Sequence, residues 1–373
     1  MPRGRYAPSP TGGLHLGNAR TALVAWVLAR EAGLVLRVED LDRPRTVPEA
    51  VDGNLAELRW LGLDWSEGPD VGGPHAPYRQ SEREDRYRAA LERFEADGRV
   101  FACYLSRKDL REIASAPHGR GPVYGPTERT ANERVAAAKR AAGKPPALRL
   151  RVSDRVVRWS DRFAGEQRVD LARELGDIVL RRADGLWAYH LAVVVDDAAM
   201  GIEEVVRGDD LLPASAVQDE LHRALGSRPP STAHVPLLHG PDGQRLAKRR
   251  GDGTLAALRA AGVPAARVVG LLAWTLGQVP SAEPMSASAF ARRFEPALVP
   301  PHAVQLTVAA RDWLLGLGPA PSSPPPAPPP ESDRGPVDGE RGGSDLGRDR
   351  TEDASDATRA GDRSSLDSRN RRR

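Results

Sequence analysis

Cysteine is almost absent from this sequence, since Cys103 is the only one among 373 residues. A disulfide framework and a metal site built on several thiolates are therefore excluded. No run of about 18 apolar residues occurs, so we expect no transmembrane helix. The first seven residues lack the long apolar stretch of a secretory signal. We therefore expect a soluble, cytoplasmic protein with no membrane partner.

Lysine is also scarce, because nearly all of the 54 basic residues are arginines. A lysine that survives against this background is a candidate for a role that needs lysine. The basic residues face 51 acidic ones, and the formal net charge is +3. That mild bias is compatible with a nucleic-acid partner without identifying one. The four lysines are Lys108, Lys139, Lys144 and Lys248.

Proline is concentrated near the end of the sequence. Residues 319–330 contain eight prolines in twelve positions, a composition that favours extended chain and cannot pack a core. Residues 331–373 are mostly Gly, Ser, Asp and Arg, with three large aliphatic side chains. Too little apolar surface is present to offset the chain entropy. We therefore predict that residues 319–373 are disordered and that the folded part spans 1–318.

Short β-like runs alternate with longer helical runs in residues 1–100, which predicts an α/β fold with a parallel sheet. Residues 101–145 have the pattern of an insertion made of short helices and loops. No internal repeat occurs at a fixed period. The predicted elements are strands at 3–7 and 34–39, helices at 18–32 and 48–61, β-like pieces within 147–207 that include 187–195, and helices at 213–226, 254–276 and 301–316.

The first chemical motif lies between a predicted strand and a predicted helix and reads Pro8, Ser9, Pro10, Thr11, Gly12, Gly13, Leu14, His15, Leu16, Gly17, Asn18. Gly12 and Gly13 allow positive φ and close backbone approach. A helix that begins near His15 offers unpaired N–H groups to a phosphate, and the imidazole adds a donor. Gly17 leaves a flat surface for an adenine ring. An ordinary strand-to-helix turn would explain the same residues.

The second motif is a basic loop followed by glycines, and its core reads Arg245, Leu246, Ala247, Lys248, Arg249. Such a loop can close over a polyphosphate. Lys248 would supply a compact charge where a pyrophosphate leaving group becomes more negative. A surface basic run or a nucleic-acid patch is the alternative interpretation.

Taken together, the motifs resemble a known family. The run RYAPSPTGGLHLGN resembles the HIGH region of class I aminoacyl-tRNA synthetases in its glutamyl form, and RLAKRRG resembles their KMSKS loop. The blocks LRVEDLDRPR, WAYHLAVVVDDAAMGIEEVVRGDDLL and HVPLLHG look like the same subfamily, and most of residues 1–255 is covered. Within this subfamily, the sequence is most similar to the glutamyl-Q tRNA(Asp) synthetases.

The resemblance implies a Rossmann-like nucleotide-binding fold with an inserted subdomain and a helical closing subdomain. The expected divisions are 1–100 and 146–253 for the two halves of the catalytic domain and 101–145 for the insertion. The helical closing region would span 254–318, before the disordered tail at 319–373.

The resemblance also implies residue roles. Arg5 and Ser9 match positions that line the amino-acid site, and Glu39 matches the carboxylate that binds the α-ammonium group. Tyr189 and Arg207 match residues that hold the substrate side chain, and arginine suits a carboxylate because its planar fork bonds bidentately. The implied ATP-binding residues are Pro8, His15, Gly17, Asn18 and Lys248, with His15 and Lys248 catalytic.

Each of these amino-acid-site residues has a simpler interpretation when taken alone. Glu39 and Arg37 could form a solvated pair at a strand end. Tyr189 could be a core aromatic. Arg207 could form ion pairs with the aspartates two and three positions further along.

For the whole chain, the resemblance implies activation of L-glutamate with ATP and Mg²⁺, and its transfer to queuosine in the anticodon of tRNA(Asp). About 65 plausibly folded residues follow Arg250, too few for the helical anticodon-binding region of the full-length enzymes. We expect a monomer. Three alternatives stay open: a truncated or variant glutamyl-tRNA synthetase that charges the tRNA 3′-end, a non-catalytic tRNA-binding paralogue, and a small nucleotidyltransferase.

The sequence departs from the family at its structural zinc site. Family members often bind zinc through Cys-x-Cys followed by Tyr-x-x-x-Cys, whereas the matching positions here are Cys103, Leu105, Tyr124 and Glu128. Only Cys103 and Tyr124 remain of that set, so we predict that no zinc is bound.

Overall fold

The computed structural model describes residues 1–106, 108–110, 123–246 and 253–328. Its central feature is a six-stranded sheet in the order β2-β1-β8-β9-β5-β6. The first five of these strands pair in parallel, and β6 joins β5 in the antiparallel direction. The strands are β1 Gly4–Tyr6, β2 Leu34–Leu36, β3 Val100–Cys103, β4 Ala147–Leu150, β5 Val156–Asp161, β6 Gly165–Asp170, β7 Ile178–Arg181, β8 Glu204–Gly208, β9 Ser231–Val235, β10 Leu238–His239 and β11 Val304–Gln305.

Helices cover the sheet and build the remaining part of the described chain. The α-helices are α1 Leu16–Ala29, α2 Glu49–Trp60, α3 Glu84–Ala96, α4 Pro126–Ala141, α5 Tyr189–Ala199, α6 Ala214–Ala224, α7 Leu255–Ala260, α8 Ala265–Thr275, α9 Ala287–Arg293 and α10 Val308–Leu314. Single 3-10 turns lie at Arg43–Arg45, Gln80–Glu82, Asp209–Leu211 and Pro296–Leu298, and a π turn lies at Leu171–Leu175.

The first βαβ unit positions the candidate site. Helix α1 connects β1 to β2, and these two parallel strands pair with Arg5 opposite Val35. Most of α1 is buried, because one face packs on the sheet and another packs on α8. The strands and helices predicted within residues 1–61 are present with end shifts of a few residues.

The expected β-like piece at 187–195 is wrong, because Tyr189–Ala199 forms helix α5. Leu191 through Val195 are all buried in this helix, so the apolar run has no exposed face to reveal its period. A short, fully buried apolar run cannot be assigned to strand or helix from periodicity alone. Two more expected helices differ in extent: residues 254–276 form two helices that separate near Pro264, and residues 301–316 contain β11 before α10.

A second, antiparallel sheet has the strand order β3-β4-β7, and of its strands only β3 reaches into the inserted segment at 101–145. Helix α4 packs beside it through Asn132, whose amide donates to Ala102 O at 2.9 Å and accepts from Tyr104 N at 2.7 Å. The expectation of short helices and loops at 101–145 missed strand β3 and the 16-residue helix α4.

The proline-rich segment begins as part of the folded body, which differs from the expected disorder at 319. The carbonyl of Ser323 accepts a hydrogen bond from Trp274 Nε1 at 3.1 Å, and Pro326 O accepts from Gln305 N at 2.8 Å. An extended, proline-rich segment makes no backbone hydrogen bonds within itself, so its carbonyls can accept from neighbouring elements. We call residues 319–328 the strap. Residues 329–373, the rest of the expected tail, lie outside the described residues.

Among the helices that the structure describes, none is both long enough and apolar enough to cross a membrane.

Candidate active site

A cavity of about 790 Å³ lies at the carboxyl ends of the parallel strands. The chain moves from β1 to β2 on one side and returns to β8 on the other, so the crevice beside β1 is a topological switch point, where open α/β sheets bind ligands. The predicted site residues that line the cavity are Arg5, Pro8, Ser9, Leu14, His15, Gly17, Asn18, Glu39, Tyr189, Arg207, Arg245 and Leu246.

The remaining residues of the first motif support its turn rather than the cavity wall. Pro10 O accepts from Val47 N at 2.8 Å. Gly12 has φ of +136°, whereas Gly13 stays outside the left-handed region, so only one of the two glycines needs its freedom there. Leu16 begins α1 and is buried, and Thr11 N donates to Ser9 O at 2.8 Å.

His15 is the N-cap residue of α1. Its Nδ1 accepts hydrogen bonds from Gly17 N at 3.1 Å and Asn18 N at 3.3 Å, and Asn18 Oδ1 accepts from His15 N at 3.2 Å. These two N–H groups are thus not available to a phosphate, contrary to the expectation of an open helix N-terminus. Because Nδ1 accepts, a neutral ring carries its proton on Nε2. His15 therefore presents a side-chain N–H donor in place of the backbone donors that it caps.

Gly17 is needed by the His15 ring. A Cβ at position 17 would lie 3.0 Å from His15 Cε1 and 3.1 Å from His15 Nδ1. Those distances are tighter than ordinary van der Waals contacts, so a larger residue would push the imidazole away from its capping position. The structure thus adds a second reason for glycine beside the expected flat surface for adenine.

A buried ion network lies below Glu39. Arg37 donates to Asp197 Oδ1 at 2.7 Å and to Glu39 Oε1 at 3.2 Å, and Arg5 Nε contacts the same Asp197 oxygen at 3.4 Å. Arg37 is fully buried, so a solvated pair at a strand end is the wrong interpretation. Burial raises the pKa of Glu39, although the nearby Arg37 and Arg5 oppose that effect. The cavity floor therefore combines cations and carboxylates held in fixed geometry.

Arg207 is 5% exposed and is held by three neutral acceptors. Its Nε donates to His234 Nε2 at 2.9 Å, Nη1 donates to Gln218 Oε1 at 2.7 Å, and Nη2 donates to Ser215 Oγ at 2.9 Å. No carboxylate of the described residues forms an ion pair with it, so the interpretation as an ion-pair residue is wrong. Burial lowers the pKa of Arg207, which reflects a charge that lacks an adjacent anion.

Tyr189 and Ser9 lie at the rim of the cavity. Tyr189 is 36% exposed, so it is not a core aromatic. Its ring meets that of His190 in an edge-on contact with centroids 5.2 Å apart. Burial, followed by the positive charge of Arg207, lowers the pKa of His190 to about 4, so this ring is neutral near pH 7. Ser9 is exposed and lines the cavity.

Of the core residues of the basic loop, Arg245 and Leu246 belong to the described part of the chain. Arg245 and Leu246 line the cavity, and Arg245 forms an exposed ion pair with Asp210 at 3.7 Å. Ala247, Lys248 and Arg249 lie outside the described residues. The chain resumes at Gly253, and Leu255 N then donates to Leu14 O at 2.8 Å, so the loop starts and ends beside the first motif.

The residues that match the family's zinc site cap a helix and form a small apolar cluster instead. Glu128 Oε2 accepts from Gly125 N at 2.8 Å and completes the cap of α4. Cys103 and Tyr124 are buried together in a small apolar cluster, against which Leu105 packs. Within the described residues, no group of three or more His, Cys, Asp or Glu side chains could hold a metal ion. These residues do not fit a zinc ion, and the prediction that none binds awaits measurement.

Two features of the site were missed by the sequence analysis. Arg20, buried in α1, donates to Thr275 O at 2.9 Å and to Pro236 O, and so ties the first motif to the loop after β9. His234 accepts from Arg207, whereas the sequence pointed only to the block HVPLLHG that contains it. Both are polar residues inside apolar surroundings, which is the one signal that the sequence offered.

Comparisons with known proteins agree with this geometry. The model of the family "tRNA synthetases class I (E and Q), catalytic domain" matches residues 2–293. A "Glutamyl-Q tRNA(Asp) synthetase" of Symbiobacterium thermophilum is 51% identical over 315 residues, which cover 82% of this chain and 97% of that protein. A "Glutamate–tRNA ligase 1" of Halorhodospira halophila is 48% identical over 254 residues, which cover 66% of this chain and 53% of that protein.

A solved structure shows the same fold. The glutamate tRNA ligase of Elizabethkingia meningosepticum, crystallised with its amino acid, superposes with a TM-score of 0.72 at 30% identity. The superposition covers 84% of this chain and 68% of that one. The expected class I catalytic fold is confirmed by these matches. The chain belongs to the class I tRNA synthetases of the E and Q family and is an aminoacyl-tRNA synthetase-type ligase.

Proposed function

We propose that this chain activates L-glutamate with MgATP and transfers the glutamyl group to the queuosine base in the anticodon of tRNA(Asp). One observation carries the proposal: a single cavity joins the His15 motif, the basic loop and the Arg5, Glu39 and Arg207 cluster. The similarity to a glutamyl-Q tRNA(Asp) synthetase over 97% of that protein supports the choice of acceptor.

The proposed glutamate site uses opposite charges for the parts of the substrate. Glu39 takes the α-ammonium group, and its position is fixed by Arg37 at 3.2 Å. Arg207 takes the side-chain carboxylate, with Tyr189 beside it at the rim. Arg5 and Ser9 line the space between these groups. A guanidinium has five N–H donors, of which three are accepted by His234, Gln218 and Ser215. Tyr189 also interacts with Arg207, so the phenol and the guanidinium can face the substrate carboxylate together.

In the first step, the α-carboxylate of glutamate is its own nucleophile. It attacks the α-phosphorus of ATP, a new O–P bond forms, and the bond to pyrophosphate breaks. No proton has to be removed, because this carboxylate is ionised at neutral pH. The protein positions the reactants and stabilises the negative charge, with His15 Nε2–H and Lys248 as the proposed donors. Pro8, Gly17 and Asn18 shape the nucleotide side of the cavity.

In the second step, a hydroxyl of the cyclopentenediol ring of queuosine attacks the carbonyl carbon of the mixed anhydride. An ester bond forms, AMP leaves, and the hydroxyl proton passes to solvent or to the departing phosphate. The acceptor is an unpaired loop base, which is how proteins most often recognise RNA specifically.

A second candidate function is attachment of glutamate to the tRNA 3′-end. The 48% identity to a glutamate–tRNA ligase favours it, since that similarity is nearly as high as that to the glutamyl-Q relative. The longer match favours the first proposal, because the glutamyl-Q relative is matched over 97% of its length at 51% identity. A non-catalytic paralogue is disfavoured by the retention of His15, Glu39, Arg207 and Lys248.

The two acceptors can be separated with labelled glutamate. We expect ATP-dependent transfer to tRNA(Asp) that contains queuosine and none to the same tRNA with unmodified guanosine. Transfer that is equal for both tRNAs, or that requires tRNA(Glu), would contradict the proposal. Glutamate-dependent exchange of pyrophosphate into ATP, measured without tRNA, tests the first step by itself.

A further inference from the structure

Three adjacent strands of the main sheet hold a line of buried polar side chains that ends at Arg207. Arg207 on β8 lies directly opposite His234 on β9, and Asp161 at the end of β5 pairs with Thr232 on β9. Asp161 Oδ2 lies 2.5 Å from His234 Nδ1, and His234 Nε2 accepts from Arg207 Nε at 2.9 Å. Asp161, His234 and Arg207 are all at most 5% exposed.

The bond to Arg207 fixes the protonation of His234. An arginine is always a donor, so Nε2 must accept and the ring proton must sit on Nδ1. Burial, together with the nearby charge of Arg207, lowers the pKa of His234 despite the hydrogen bond with Asp161, which keeps the ring neutral near pH 7. Asp161 Oδ2 accepts a hydrogen bond from the Nδ1–H group of His234. It thereby stabilises the tautomer whose Nε2 can accept from Arg207.

Asp161 is itself held rigidly. Its Oδ1 accepts from the backbone N–H groups of His234, Phe163 and Ala164 at 3.0–3.1 Å. Its Oδ2 accepts from Thr232 Oγ1 at 2.6 Å. Burial would raise the pKa of Asp161, but the hydrogen bonds from His234 and Thr232 outweigh it and hold the pKa below its usual value. The carboxylate is thus ionised and cannot rotate without breaking several bonds.

The hydrogen-bond acceptors of Arg207 do not neutralise its positive charge, so a ligand can do so. Its three protein partners are neutral, and Asp197 acts on it only from beyond ion-pair distance. A buried cation with neutral partners is costly until an anion reaches it. A ligand that places a carboxylate on Arg207 removes this cost, whereas an isosteric carboxamide does not.

We propose that Asp161 and His234 are positioning residues that orient Arg207 without neutralising it, so that the site accepts the side-chain carboxylate of glutamate and rejects the carboxamide of glutamine. The inference rests on the proposed function, because it takes glutamate as the amino-acid substrate. It adds a physical basis for the choice between the two amino acids and assigns it to residues that do not touch the substrate.

The substitution Asp161→Asn tests the tautomer directly. The amide oxygen keeps the three backbone bonds to Oδ1, so the new NH₂ group takes the place of Oδ2 and donates to His234 Nδ1. The ring proton then moves to Nε2, where it points at the Arg207 Nε–H group 2.9 Å away. Two donors face each other, and Arg207 must move. The shape of the side chain stays almost unchanged.

Two substitutions at position 234 separate contact with Arg207 from contact with Asp161. In His234→Gln, the amide oxygen reaches the position of Nε2 and accepts from Arg207. In His234→Asn, the amide reaches only the position of Nδ1, so Asp161 keeps a donor and Arg207 loses its acceptor. Thr232→Val is the matched control for disturbing the buried cluster, because it removes a bond to Asp161 and leaves the tautomer unchanged.

The measurement is glutamate-dependent pyrophosphate exchange into ATP by the full-length chain, with KM determined for glutamate and for ATP. For Asp161→Asn and His234→Asn we expect the KM for glutamate to rise about 30-fold, with the KM for ATP changed less than about 3-fold. His234→Gln should stay within about 5-fold of the wild type, and Thr232→Val within about 3-fold. The preference for glutamate over glutamine should fall in the two impaired variants.

A double variant provides the decisive comparison. If the tautomer is the cause, Asp161→Asn should have little further effect on the KM for glutamate in the His234→Gln background. Wild-type KM values and preference in a folded Asp161→Asn protein would overturn the inference. If Asp161→Asn does not fold, equal KM values for glutamate in His234→Asn and His234→Gln would overturn it. Absence of glutamate-dependent exchange in the wild type would instead refute the proposed function.

Discussion

The imidazole of His15 occupies the space that a side chain at Gly17 would need. His15 Nδ1 accepts from Gly17 N at 3.1 Å, and a Cβ on residue 17 would come within 3.0 Å of His15 Cε1. The histidine and the glycine of the first motif therefore act together: the glycine makes room for a ring that caps α1 through Nδ1 and, when neutral, carries its proton on Nε2.

Substitution Gly17→Ala should impair catalysis without unfolding the protein. Alanine favours a helix by about 1 kcal/mol relative to glycine, and this offsets the cap that is lost when the His15 ring tilts away, so the melting temperature should change little. We expect the exchange rate to fall about ten-fold or more, which is less than the roughly 10²–10³-fold cost of removing such a donor, because the ring is displaced rather than removed. Gly53→Ala in α2 is the matched control, because its Cβ would meet nothing within 4 Å. Equal activity in the two variants would contradict this role for Gly17.

Lys248 is proposed to stabilise the departing pyrophosphate. Lys248→Ala should lower the rate of glutamate activation by about 10² or more, because a charge that acts mainly in the transition state is lost. Lys248→Arg keeps the charge and should retain more activity. Lys144→Ala removes an exposed lysine elsewhere and should leave the exchange rate unchanged. An unimpaired Lys248→Ala enzyme would remove the proposed role.

As the pH falls, the affinity for glutamate should begin to decrease at a higher pH than the protonation of exposed carboxylates would cause. Burial raises the pKa of Glu39, so this group takes up its proton at a higher pH than a solvent-exposed glutamate. Protonation removes the charge that attracts the α-ammonium group. The KM for glutamate should therefore begin to rise at a pH above the ordinary range of glutamate side chains, before exposed carboxylates take up protons. In Glu39→Gln the KM should be high at every pH, and an unchanged pH dependence in that variant would show that another group titrates.

Two truncations should behave differently. Ending the chain after residue 328 should leave the exchange rate and the melting temperature nearly unchanged, because residues 331–373 have few apolar side chains. Ending it after residue 318 also removes Ser323 and Pro326, which accept from Trp274 and Gln305. Each lost hydrogen bond costs about 0.5–1.5 kcal/mol net, so the melting temperature should drop by a few degrees. Equal melting temperatures would show that the strap contributes no stability.

The sequence predicted those elements correctly whose structure follows from a local residue pattern. The strand, glycine turn and helix around His15 follow one another in order, so the first βαβ unit was predicted with small errors at its ends. Residues 187–195 show the opposite case: the run is apolar on every face, and tertiary burial rather than period decided in favour of a helix. The strap at 319–328 was missed because its contacts are backbone hydrogen bonds, which composition does not reveal.

The site was predicted residue by residue only where the family motifs named it. Arg207 and Glu39 were named, but the groups that hold them in place come from distant parts of the chain. Asp161 lies 73 positions before His234, and Asp197 lies 160 positions after Arg37. Pairings at such separations exist only once the sheet has formed, so no spacing rule in the sequence could indicate them.

The most direct test of the account is mass spectrometry of the nucleosides of queuosine-containing tRNA(Asp) after incubation with the protein, ATP and glutamate. The account predicts a glutamyl ester on the queuosine nucleoside and an unmodified 3′-terminal adenosine. Glutamate on the 3′-adenosine, with queuosine unchanged, would contradict it.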